Sequence, residues 1–97
     1  MKKTHWNYRI GTQIIPPPPG GFLKERYPDG WRIFKIIECH YEDDIPSAYA
    51  EKDVLKDWDT IEDIEWTVKK LTEMLDRNSP ILDLDNWPNH WVDATLQ

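Results

Sequence analysis

The run Trp31–Tyr41, WRIFKIIECHY, constrains this chain more than any other stretch. It is the longest segment rich in β-branched and aromatic residues, which suit a pleated, packed surface. As a strand it sends Trp31, Ile33, Lys35, Ile37, Cys39 and Tyr41 to one side. Arg32, Phe34, Ile36, Glu38 and His40 go to the other. Both sides carry apolar groups, so both need cover. One helix can serve one side; what serves the other is the question this segment poses.

Elements on either side of the run supply the rest of a small sheet. Trp6, Tyr8 and Ile10 alternate with Asn7 and Arg9, which is strand periodicity, and Gly11 weakens its far end. Pro16–Pro19, then Gly20 and Gly21, break any ladder because proline has no N–H to donate. Four prolines form a stiff polyproline II spacer between two strands; a groove-binding role of the SH3-ligand type is the weaker reading. Pro28-Asp29-Gly30 is a turn. Glu42–Pro46 is an acidic loop of about five residues leading to a third strand, Ser47–Glu51.

Thr60 reads as a helix N-cap with Asp63 at N3. Ile61, Ile64, Val68, Leu71 and Leu75 then recur at three- and four-residue spacing, the stripe of an amphipathic helix over Ile61–Asp76. Asn78-Ser79-Pro80 stops it. This stripe is expected to lie on the sheet. Ile81–Asp85 is a short edge strand or an extended tail, and Asn86–Trp91 has two tryptophans and no regular period.

With 97 residues the chain makes one small core, burying only about two-thirds of its unfolded surface. The predicted fold is α+β: a small antiparallel sheet of three to four strands with one amphipathic helix packed on one face. Residues 1–85 form the domain, with 16–30 as a Pro/Gly-containing inter-strand loop. Residues 86–97 form a tryptophan-containing tail.

At this point the chain resembles a family of short, uncharacterised bacterial proteins. The match runs through Trp6-Asn7-Tyr8-Arg9, then Phe34, Ile36, Glu38, Cys39, His40, Tyr41 and Glu42 on the strand. It continues through Pro46, Thr60, Glu62, Asp63 and Ile64, then Leu71, Met74 and Leu75, and Pro80-Ile81-Leu82-Asp83. His40 stands where the family has Tyr, Cys39 where it has Val, and the proline run and the 87–97 tail are extra. The resemblance implies the order of elements and a bacterial source, and it carries no activity.

Charge and motifs narrow the function classes. Residues 1–41 carry seven Lys/Arg against three Asp/Glu, and residues 42–97 carry five against fifteen, which sums to −6. The acidic half argues against a nucleic-acid partner. It suits a basic protein partner. A single cysteine permits no internal disulfide and fits a reducing, cytoplasmic setting. No apolar run approaches the roughly 20 residues of a membrane span. Cys39 and His40 are strand neighbours and point apart, so they form no dyad. His5, His40 and His90 lack metal-ligand spacing, Asp57-x-Asp59 and Asp83-x-Asp85 lack a calcium loop's Gly and distal Glu, and no phosphate-binding glycine loop is present. No catalytic residue, metal or cofactor is therefore predicted.

The expected function is a non-enzymatic protein-interaction or regulatory module. It would act through an aromatic sheet face or a sheet edge, with Trp31, Ile33, Ile37, Tyr41, Trp87 and Trp91 as contact residues and a protein partner or a second copy (a homodimer) as occupant. The alternative is a small acidic inhibitor that mimics nucleic acid, of the phage counter-defence type, binding a basic protein. Glu38 shares its face with Phe34 and Ile36 and would need a partner there; Arg9 on the first strand is the expected one, in a structural ion pair.

Overall fold

In the computed structural model, which describes residues 2–51, 53–55 and 57–92, the chain is α+β. The elements run β1 (Thr4–Ile15), α1 (Phe22–Arg26), β2 (Trp31–Glu42), β3 (Ile45–Ala50), α2 (Ile61–Arg77) and β4 (Leu82–Asp83). A 3₁₀ turn, Leu84–Asn86, follows. The four strands form one sheet in the order β3-β2-β1-β4.

β1 and β2 pair antiparallel along their whole length, from Thr4 opposite Glu42 to Ile15 opposite Trp31. The proline-containing stretch and α1 span the far end of this pair. β1 continues past Gly11, the residue expected to weaken its far end, as far as Ile15. The missing side chain has a use: a β-carbon at Gly11 would come within 2.8 Å of Leu84 Cδ1. β2 turns into β3 through only Asp43 and Asp44, both at positive φ (51° and 66°), a type I′ geometry that follows the strand twist. β3 is an edge strand and carries Pro46, as an edge can.

The sheet is mixed, which corrects the expectation of an antiparallel one. β4 runs parallel to β1, with Gly11 opposite Leu82 and Thr12 opposite Asp83. A parallel neighbour needs a crossover, and the stretch containing α2 supplies it.

Cross-strand partners share a face, so His5, Asn7 and Arg9 lie with Ile37, Cys39 and Tyr41, and Tyr49 joins them from β3. We call this the odd face. It holds the core: Ile37, Cys39, Tyr41 and Leu82 are buried together, with Tyr49, Leu84 and Trp87 packed against them. The other, even face carries Trp6, Tyr8, Ile10 and Thr12 with Phe34, Ile36, Glu38 and His40. α2 lies along β1 on this side.

α2 starts and stops as its sequence requires. Thr60 Oγ1 accepts from the Asp63 N–H at 3.1 Å, and Asn78 ends the helix in the left-handed region at φ 51°. Its orientation is the surprise. Thr67 and Met74 are its buried residues. Trp66 meets Trp6, and Arg77 Nη2 donates to the Tyr8 carbonyl at 2.7 Å. Thr67 Oγ1 donates to the Asp63 carbonyl and accepts from Trp58 Nε1. The sheet-facing side is thus Trp66, Thr67, Lys70, Met74 and Arg77, and the aliphatic stripe expected to pack on the sheet is turned away from it.

Candidate interaction surface

The residues singled out from the strand pattern fall into two groups. Ile37 is fully buried and Tyr41 nearly so, which makes both core. Trp87 completes their cover: its ring stands 4.7 Å from Tyr49 on the odd face. Trp91 instead meets residues of the even face, Phe34 at 5.5 Å and the Arg32 guanidinium at 5.1 Å. The segment after β4 bends back on itself, with Trp91 N donating to the Ile81 carbonyl and Asp83 N to the Asn89 carbonyl. It places one tryptophan on each side of the sheet. Trp31 and Ile33 are half-buried at the opposite end, where Trp31 packs edge-on against Tyr27 beside Leu23. The six residues therefore form no single surface.

The register also corrects the expected Arg9–Glu38 pair. Arg9 stands opposite Ile37, while Glu38 stands opposite Tyr8, so their side chains leave on opposite faces. Arg9 is buried; it donates to the Tyr41 hydroxyl at 2.9 Å and to the Pro80 carbonyl at 2.5 Å. The Tyr41 hydroxyl in turn donates a hydrogen bond to Asn7 Oδ1 at 3.0 Å, and the His5 ring stacks on the Tyr41 ring at 4.6 Å. Glu38 lies on the even face, with His40 Nε2 4.0 Å from its carboxylate.

The buried network shows no sign of an activated nucleophile. Burial pushes the Cys39 thiol up, against the opposing pull of its Tyr41 contact and the Arg9 charge. Burial likewise raises Tyr41, with the Arg9 hydrogen bond opposing it. Tyr8 is raised by burial and by the Glu38 charge. A nucleophilic cysteine needs the opposite shift and an open approach. Among the described residues no group of three His, Cys, Asp or Glu side chains could hold a metal ion. No helix of the described chain is long and apolar enough to cross a membrane.

Two of the open features bear on binding. The first is a groove of about 290 Å³ between β1 and α2, lined by Trp6, Tyr8, Trp66, Lys70, Glu73 and Arg77. Its cations are already engaged: Lys70 Nζ lies 3.5 Å from Glu73 and 5.7 Å from the Trp66 ring centre, and Arg77 holds the β1 backbone. The second is the outer side of α2. Ile61 is 70% exposed, Val68 57% and Leu75 64%, with Ile64 exposed and Leu71 half-buried between them.

The stripe's spacing explains its exposure. Positions 61, 64, 68, 71 and 75 alternate three and four residues, which is the a/d seam of a heptad. A helix that packs on a globular core shows a wider apolar arc, with e or g positions added. Here the g-like positions are Thr67 and Met74, and these are the helix's buried residues. At 3.6 residues per turn the seam sits roughly a third of the circumference from the sheet-facing side. That signal was readable in the sequence, because the strict spacing separates a seam from a core stripe.

No protein-family model, curated protein or solved structure matches the chain. Its function is therefore argued from its own residues.

Proposed function

We propose that this chain is a non-enzymatic protein-interaction module whose contact surface is the outer seam of α2 and whose occupant is another apolar-seamed helix. One observation carries the reading: four large aliphatic side chains, Ile61, Ile64, Val68 and Leu75, lie exposed in heptad register on a well-capped helix. Contiguous exposed apolar patches on soluble proteins mark contact sites more often than scattered residues do. A seam of a/d type is shaped to take the side chains of a facing helix into its holes. This moves the expected contact from the sheet to the helix. The odd face is occupied by the chain's own Leu84 and Trp87.

The test is the size of the protein in extracts of the cells that make it. Under native size exclusion it should run above its 11.6 kDa monomer mass, and Val68→Gln should return it to that mass. Monomer-sized elution of both in extract, together with a purified protein that stays monomeric up to about 1 mM, would sink the reading.

A further inference from the structure

We infer that the helix received by α2 is the α2 of a second copy, running antiparallel to it. This rests on the reading of the α2 seam as a docking surface and names its partner. Three observations favour a self-match.

The seam is close to symmetric about its own middle. Its ends are Ile61 and Leu75, and their midpoint is Val68. An antiparallel mate centred there sets the Ile61 end of each copy against the Leu75 end of the other. Every apolar residue of the stripe then has an apolar neighbour across the contact.

Charge selects the direction. Residues 61–68 hold Glu62, Asp63 and Glu65 and no base, a balance of −3. Residues 69–77 hold Lys69, Lys70 and Arg77 against Glu73 and Asp76, a balance of +1. Antiparallel pairing lays each acidic half beside the other copy's weakly basic half, and the helix dipoles also oppose favourably. Parallel pairing lays −3 on −3.

The sheet leaves room for this arrangement. In an antiparallel pair the g-like positions of both helices fall on one side of the seam. Thr67 and Met74 of each copy already face their own sheet there, so both sheets lie beneath the helix pair as one layer. A 17-residue helix is about 25 Å long and 10–12 Å wide. One such contact falls near the roughly 1,000 Å² lower bound for a specific interface, so the dimer should be reversible, half-formed at about tens of micromolar.

The full chain is weighed by sedimentation equilibrium from about 1 μM to 1 mM, together with Val68→Glu. Disulfide trapping adds geometry, using Val68→Cys, Ile61→Cys and Leu75→Cys; the native Cys39 is buried. The wild type should double its mass across the range, and Val68→Glu should shift the midpoint at least about tenfold. Val68→Cys should cross-link with itself. Ile61→Cys should not, because two copies of that site lie about 20 Å apart along the helix axis, beyond disulfide reach. It should cross-link with Leu75→Cys in a mixture. A wild type that stays monomeric throughout overturns the self-match. If the same protein still runs large in native extracts and Val68→Gln abolishes that, only the identity of the partner has failed. Equal self-cross-linking at Ile61→Cys and Val68→Cys overturns the antiparallel arrangement.

Discussion

The odd face of the sheet and the outer seam of α2 are the chain's two aliphatic surfaces, and they meet opposite fates. On the odd face, Ile37, Cys39 and Tyr41 are roofed by Leu82, Leu84 and Trp87 from the same chain. On α2, Ile61, Val68 and Leu75 have more than half their surface in solvent. The difference lies in what each surface can be covered by. A pleated face is broad, and a short looping segment with large side chains can fill it. A heptad seam is narrow and takes another helix. Among the described residues the other α-helix is α1, five residues long and at the far end of the sheet pair, so no described helix lies along the seam.

The sharpest way to break this contrast is to remove the roof. A chain ending at Asp85 loses Trp87 and Trp91 together. Each Trp-to-Ala-sized loss in a core costs about 3–5 kcal/mol, and a domain of this size holds only about 5–15 kcal/mol in total. Thermal melting followed by circular dichroism should show loss of the cooperative transition. An unshifted melt would mean that the segment after Asp85 stabilises neither face of the sheet.

A smaller effect probes how the roofed side is wired. Tyr41→Phe removes the hydroxyl that receives Arg9 Nη1 and donates to Asn7. It strands a buried guanidinium donor, a loss of about 1–3 kcal/mol. Tyr41 is also one of three groups that set an alkaline limit. Tyr8, Cys39 and Tyr41 all hold their protons more tightly when folded, mainly through burial. The unfolded chain deprotonates first, so stability is complete below the ordinary thiol and phenol range. It falls as pH rises through that range toward the raised folded values. Urea midpoints measured between pH 7 and pH 10.5 should decline in the wild type and decline less steeply in Tyr41→Phe. A flat wild-type profile would contradict the burial of these groups.

Much of the scaffold was legible in the sequence, for local reasons. β2 follows from its β-branched run, and α2 from its N-cap, its stripe and the Asn78 stop; both sit within a residue of expectation. Three features depart from the expectation. The roof has no period because Ile81 and Asp83 bond to Trp91 and Asn89 of the returning arm, and neither propensity nor alternation encodes that pairing. The Arg9–Glu38 pair failed on the β1–β2 register, where Arg9 stands opposite Ile37 and Glu38 opposite Tyr8, since a one-residue offset exchanges faces. The α2 stripe was visible as residues, but its 3-4-3-4 spacing was taken as a core face. Part of the 86–97 tail, residues 93–97, lies outside the described residues.

The contrast is tested most directly by one substitution placed on each surface. Ile37→Ala and Ile61→Ala delete the same atoms, from a fully buried site and from one that is 70% exposed. Urea unfolding at low micromolar protein, where self-pairing is slight, should show a loss of about 2–5 kcal/mol at Ile37. At Ile61 the change should stay within about 0.5 kcal/mol. Comparable losses at the two sites would place the α2 seam in the core and contradict its role as a contact surface.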